Sequence, residues 1–204
     1  MSEDRFAWVG DTADFAPLLR ELKGEIWTED PVPDGWLRRA SPAEAAARAD
    51  FVFLAGGQGA WSKLLDRGVR SHAPPGACIV LLGAGCPAPF ADELEAGGLV
   101  ALDLTLLHDP PRLAVGGDRD TFNLLRPHLK PAGQPFFCGA IGAASFAAQA
   151  ERRMLEAPNL DLAVVVADAD ARGFFPQALR NVWKAGPRSD PQFDAAIDAL
   201  TKRV

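Results

Sequence analysis

A doubly wound α/β sheet followed by a helical tail is the fold class this chain predicts, and three observations predict it. Short apolar runs recur along residues 5–138, most of them bounded by Gly, Pro or an acid. Stretches with helical spacing lie between them, and that alternation implies parallel strands joined by crossover helices on both faces of the sheet. From residue 139 onward the chain becomes Ala-rich and helix-compatible. We therefore divide it into a doubly wound domain, 1–138, and an all-helical segment, 139–204.

The elements follow in order. Residues 5–10 read as an apolar strand ending in Gly10, and Phe15, Leu18, Leu19 and Leu22 at i, i+3, i+4, i+7 predict a helix over 14–23 that Gly24 ends. Residues 25–28 form the next strand, closing on Glu29 and Asp30. Ser41 and Glu44 make a capping box around Pro42, at the head of a helix over 42–48. A strand at 51–54 and a helix at 61–66 come next. Residues 77–82 are apolar without alternation, as in a strand covered on both faces. A helix at 90–96, strands at 99–104, 113–117 and 134–138, and a helix at 118–129 complete the sheet. In the tail, helices are predicted at 143–157, 160–172, 176–184 and 191–202. The β-branched run 163–167 suits a strand, but Gly173 after Arg172 marks a helix stop.

Composition excludes several functions. Lys and Arg number 21 against 27 Asp and Glu, a net charge of −6, so no basic surface for nucleic acid exists overall. With 48% hydrophobic and 24% charged residues the chain is an ordinary globular one. Its apolar stretches, such as 78–86, fall far short of the ~20 residues of a bilayer crossing, so no membrane partner is expected. The acidic start predicts a cytoplasmic protein. Cys78, Cys86 and Cys138 have no metal or disulfide spacing and read as small buried residues. His72, His108 and His128 are scattered, so no metal site is predicted. There is no Tyr, which removes every mechanism with a phenol as general acid.

The first strand–helix turn is where a dinucleotide fold carries G-x-G-x-x-G, for a tight turn, close approach of backbone to pyrophosphate, and close packing of helix on strand. Here it reads Gly10-Asp11-Thr12-Ala13-Asp14-Phe15. Thr12 adds a Cβ where backbone should touch phosphate, Phe15 adds a ring, and Asp11 and Asp14 add negative charge at the anion end of the helix. Glu29 and Asp30 lie 19 and 20 residues past Gly10, where an acid takes the ribose 2′-hydroxyl or stands solvated at a strand end. Gly56-Gly57-Gln58-Gly59 lines a ligand or makes a permissive turn.

Several stretches together resemble the β-hydroxyacid dehydrogenases, which include 3-hydroxyisobutyrate dehydrogenase, the nucleotide domain of 6-phosphogluconate dehydrogenase and imine reductases. They are Ser41-Pro42-Ala43-Glu44-Ala45-Ala46 ahead of Ala49-Asp50, Val115-Gly116-Gly117-Asp118 with Phe122 and Arg126-Pro127, and Gly139-Ala140-Ile141-Gly142-Ala143. A last block runs from Asp161-Leu162-Ala163 through Gly173, Pro176, Ala178-Leu179 and Phe193. The resemblance implies a Rossmann-like, NAD(P)-binding-type domain. It also implies losses. The family's D-x-S-T turn corresponds to residues 82–86, without Asp, Ser or Thr, and of its substrate loop only Asp103 is kept. Its general acid/base lysine falls on Ala148, its two asparagines on Glu151 and Arg152, and its second lysine on Leu160. The long helices between the last two blocks are reduced to residues 154–159.

Hydride transfer needs a held nicotinamide, a proton donor or acceptor and a dry pocket. These losses predict a degenerate homologue without ordinary hydride transfer, binding no cofactor and acting as a binding or dimer-forming module for a small molecule. The alternative is a divergent NAD(P)-dependent oxidoreductase acting on a small hydroxy acid, oxo acid or imine. Its cofactor contacts would be Gly10, Asp11, Thr12, Glu29, Asp30 and Gly56, with NAD or NADP as cofactor, and Trp8 should sit beside the turn. Replacement proton carriers would be His108, Asp109, Cys86 or Lys130, each of a type found more often at a surface or in a core. In the family the closing helices bury apolar surface against a second subunit. Leu162, Val165, Val166, Phe174, Phe175, Val182, Trp183 and Ile197 therefore predict a homodimer through 139–204; the other solution is that the tail folds back on its own sheet.

Overall fold

The computed structural model describes residues 4–83, 85–107, 111–156, 162–187 and 191–201. Strand β1 (Phe6–Gly10) leads through a 3₁₀ turn (Ala13–Phe15) into helix α1 (Ala16–Glu21), then β2 (Gly24–Trp27) and the two-residue β3 (Leu37–Arg38). Helix α2 (Pro42–Ala46) starts as its capping box predicts: Ser41 Oγ accepts from Glu44 N at 3.2 Å, and Glu44 Oε2 accepts from Ala40 N at 3.2 Å. After β4 (Phe51–Ala55), α3 (Gln58–Leu64) passes through a kinked turn, where Gly68 takes φ 102°, into α4 (Arg70–His72). Next come β5 (Cys78–Leu82), α5 (Ala88–Ala96), β6 (Val100–Leu107) and β7 (Arg112–Gly117). Helix α6 (Arg119–Leu129) is capped by Asp118, whose Oδ1 accepts from Thr121 N at 2.7 Å, and β8 (Gln134–Gly139) ends the sheet. The tail is α7 (Ala143–Glu156), α8 (Leu162–Ala171), α9 (Pro176–Lys184) and α10 (Pro191–Thr201).

The strands form one sheet in the order β3-β2-β1-β4-β5-β6-β7-β8. Alternation along each strand divides the core. Phe6, Trp8, Phe51, Phe53 and Val80 pack under α1 and α6, while Ala7, Val9, Val52, Leu54 and Ile79 pack under α2, α3 and α5. At the β6–β8 end this second face is covered by the tail, with Ala114 and Cys138 beneath α7 to α10. The α/β class with a helical end is therefore as the sequence predicts, including a helix at residues 162–171.

Four details differ from the sequence reading. All pairs are parallel except β6–β7, which is antiparallel, because the link of residues 108–111 is too short for a crossover helix. The first helix is shorter than the spacing of Phe15 and Leu18 predicts, since residues 13–15 wind as a 3₁₀ turn. Gly24 does not stop that helix. It is a strand residue, where a Cβ would lie 2.0 Å from the carbonyl oxygen of Phe6 on the neighbouring strand. Cys86 is exposed, unlike Cys78 and Cys138.

The tail folds back on its own sheet. Val165, Val166, Phe174, Val182, Trp183 and Ile197 are buried within the chain, Leu162 is half-buried and Phe175 is 43% exposed. Two polar contacts fix the arrangement. Phe175 N donates to Cys138 O at the end of β8 (2.8 Å), and Arg112 at the start of β7, 1% exposed, ties three elements together. Its guanidinium reaches Glu151 on α7 through both terminal nitrogens (2.6 and 3.0 Å) and Val182 O on α9 (2.7 Å). Truncating one member of such a pair strands the other charge out of water. Arg112→Ala is expected to cost about 3 kcal/mol or more of unfolding free energy, read by urea denaturation. Arg112→Met with Glu151→Leu should recover most of that loss, as neither charge is then left behind.

Candidate functional site

The crevice of an open α/β sheet lies where neighbouring strands send their chains in opposite directions, at the carboxyl ends. In this molecule that point is between β1 and β4. Gly10 ends β1 opposite Ala55, with φ 113°, and a Cβ there would lie 2.1 Å from Ala55 O, so strand packing alone requires this glycine. Trp8 sits beneath the turn as expected, stacked on Phe53 at 5.7 Å, and its indole N–H donates to Asp11 O at 2.9 Å. Phe15 packs its ring against Trp8 at 5.5 Å.

The expected site residues are all at this mouth, but they divide between two tasks. Thr12 N and Thr12 Oγ1 both donate to the Asp30 carboxylate, at 2.8 and 3.0 Å, so an internal acid holds the turn where a diphosphate would need donors. Helix α1 starts only at Ala16, and Pro17 in its first turn offers no N–H. Asp11 lies over Gly56: a Cβ added to Gly56 would be 3.2 Å from Asp11 Oδ2. Glu29 faces the other way, into a cavity of about 170 Å³ that also has Gly10, Trp27, Lys63 and Arg67 in its walls. Arg67 lies over the Trp27 ring at 4.7 Å. Asp30 engages both donors of Thr12, and Asp11 and Asp14 add negative charge at the turn, which opposes a diphosphate there.

The crevice itself remains. The loops after β4 and β5 close on each other through glycines, with Gly57 N donating to Leu82 O at 3.2 Å and Gln58 Oε1 accepting from Cys86 N at 3.2 Å. Beneath them the buried Trp61 indole N–H bonds Leu54 O and Leu82 O, at 3.1 and 3.0 Å, closing the strand ends. Above lies a cavity of about 530 Å³ bordered by Asp11, Asp14, Phe15 and the Gly56–Gly59 loop. It adjoins a second of about 520 Å³, which shares Asp14, Phe15 and Gly83 and reaches across to Thr105 on β6 and to α7. Helix α7 faces this second cavity with Ser145, Ala148, Gln149 and Arg152, spaced i, i+3, i+4, i+7.

Ala148 is thus inside the crevice, where a methyl group moves no proton. Its neighbours Glu151 and Arg152 diverge, the first toward Arg112 and the second into the crevice. Of the replacement proton carriers, Cys86 is exposed beside Gln58 and Lys130 lies at the C-terminal end of α6, away from the crevice. His108, Asp109, Leu160, Asp161 and the Phe193 side chain lie outside the described residues. Among the described residues, no group of His, Cys, Asp and Glu is placed to hold a metal ion.

Sheet and helix α7 meet at one buried carboxylate. Asp103, 1% exposed on β6, accepts from Gly142 N at 2.8 Å and Ser145 N at 3.1 Å at the head of α7. Gly116 on β7 makes the approach feasible, since a Cβ there would lie 2.4 Å from Asp103 Oδ1 and 2.5 Å from Ala140 O. The glycine motifs at 115–118 and 139–143, which carry the resemblance, therefore build this joint.

No protein-family model matches the chain, and no curated protein does. Solved structures do. An imine reductase from Bacillus cereus aligns with TM-score 0.67 at 18% identity, over 99% of this chain and 74% of that one. A 3-hydroxyisobutyrate dehydrogenase from Mycobacterium tuberculosis, with L-serine, aligns with TM-score 0.60 at 18% identity over 94% and 73%. An imine reductase from Myxococcus stipitatus, a variant in complex with NAD+, gives 0.65 at 16% over 99% and 72%. The fold is that of the β-hydroxyacid dehydrogenases. At such identities the likeness carries the β-hydroxyacid dehydrogenase fold, and the chemistry has to be read from the side chains.

Sequence reasoning missed Thr105, Ser145 and Gln149 and placed Arg152 only as a lost asparagine. The polar stripe on an Ala-rich helix was the available signal. It kept Asp103 without a role. Burial, outweighing the N–H groups of Ser145, Gly142 and Ala144, holds the Asp103 pKa up at about 6, above the ~3.9 of an exposed Asp. The folded state thus binds this proton more tightly than the unfolded one. The stabilising contribution is full below about pH 4, declines as pH rises to about 6, and is flat above. The stability difference between the native chain and Asp103→Asn, from urea titrations, is expected to move against the native chain over that window; a difference independent of pH would refute the assignment.

Proposed function

We propose that this chain is a degenerate relative of the β-hydroxyacid dehydrogenases, without ordinary hydride transfer, that keeps their crevice as a binding site for a small molecule. The observation that carries this is the Asp30 carboxylate on Thr12 N and Oγ1. It supports the reading because the donors at the mouth of the nucleotide turn already have an anion, with Asp11 and Asp14 beside it. The Ala148 methyl group in the crevice supports it independently. Losing a general acid/base alone costs about 10²–10⁴-fold in rate. An exposed free thiol, Cys86, suits the reducing cytoplasm, where we place the protein.

The second reading, a divergent NAD(P)-dependent oxidoreductase for a hydroxy acid, oxo acid or imine, is favoured by the intact glycine loops and the adjoining cavities. Titration with NADH and NADPH, following Trp8 against a Trp8→Phe control, decides between them. No saturable quenching is expected at micromolar nucleotide. Saturation there, together with consumption of reduced nucleotide in the presence of an oxo acid or imine, would establish the second reading.

A homodimer through residues 139–204 is part of our proposal. With most of the tail's apolar side chains covered within the chain, its support is the outward-facing Leu155, Val164 and Phe175, 49%, 63% and 43% exposed. Light scattering at micromolar protein is expected to return twice the monomer mass; a monomer would remove the dimer from the proposal.

A further inference from the structure

We infer that the crevice beside α7 takes a small zwitterion, its carboxylate on Arg152 and its ammonium group on Asp14. This deepens the binding-site reading above and rests on it. The two charges lie on different elements, the 3₁₀ turn after β1 and the third turn of α7, and both border the cavity of about 520 Å³. That volume suits a small ligand.

Neither charge has an ion-pair partner among the described residues. For Arg152 the reason is visible. Glu151, its neighbour in the chain, is turned to Arg112 by a two-pronged ion pair and is not available to neutralise it. A guanidinium in such a position recognises a carboxylate through parallel N–H donors.

A simple anion would meet Asp14 in the same cavity, and a simple cation would meet Arg152. A molecule bearing both charges satisfies both walls and adds no net charge to the site. Phe15, Leu106 and Ala148 supply apolar wall for the body between the charges, and the short side chain of Ala148 leaves the middle of the α7 stripe open. Thr105 and Gln149 add neutral hydrogen-bonding groups beside it.

The test is calorimetric titration of the full chain, without nucleotide, using L-leucine and 4-aminobutyrate as probes. The single-charge analogues are 4-methylpentanoate and 3-methylbutylamine. Saturable binding of at least one zwitterion is expected, with both analogues of leucine, or Arg152→Gln and Asp14→Asn acting on the bound probe, weaker by about tenfold or more. Arg153→Gln, on the adjacent exposed residue outside the cavity, should bind as the native chain does. The inference is overturned if neither zwitterion binds, if a single-charge analogue binds equally well, or if either cavity variant binds like the native chain. Repeating the titration with NAD+ and NADP+ separates the two proposals: nucleotide reduction, with the probe's amine oxidised to an imine and its hydride passed to the nicotinamide, would sink the non-catalytic reading and leave the ligand class standing, whereas absence of heat with every probe would sink only the ligand class.

Discussion

A single buried carboxylate joins the two halves of this molecule. Asp103 stands on the sheet and accepts backbone hydrogen bonds from the first turn of α7, so one side chain satisfies helix donors that would otherwise be left unpaired away from water. Gly116 leaves the space and Gly142, at φ 94°, presents its N–H. The direction of α7 follows from that anchor, and from it the line of side chains along the crevice. Further along the same helix, Arg112 and Glu151 hold the opposite face to α9. The two contacts set the rotation of α7 from opposite sides, one by charge on N–H groups and one by an ion pair.

The β1 end of the crevice shows the contrary case, where residues of a dinucleotide-fold pattern are engaged in internal contacts. Gly10 persists because the end of β4 is too close for any side chain, a constraint of packing that holds whether or not phosphate ever binds. The donors next to it are engaged by Asp30, and that carboxylate comes from the position where an acid would be expected to face a ribose. The glycine and the acid are thus both explained by the protein's internal needs. The adjoining cavity instead carries charge of both signs in its lining, Asp14 and Arg152, which is a property of its own side chains.

Much of the fold was legible in the chain. Apolar runs of strand length, the capping box at Ser41 and Glu44 and the stop at Gly173 depend on local preferences, and local preferences are written in neighbouring residues. Gly24 misled for the same reason, since a glycine after a helical stretch looks like a cap until the neighbouring strand is in view. The antiparallel β7 was concealed because a run such as residues 112–117 carries no mark of its direction.

By itself the sequence determined most of the elements, their order, the burial of the sheet on both faces and a methyl side chain, Ala148, at the position that the resemblance assigns to a lysine. Those follow from periodicity, composition and aligned motifs, all of which are properties of residues close together in the chain. Only the tertiary structure decided that Asp30 closes the first turn, that Asp103 anchors α7, that Glu151 turns away from Arg152, and that the tail covers itself. Each of those depends on groups 18 to 70 residues apart meeting within hydrogen-bond distance, or on which of two adjacent side chains faces a cavity. Such meetings are set by how strands and helices pack in three dimensions, and no local pattern in the chain encodes them.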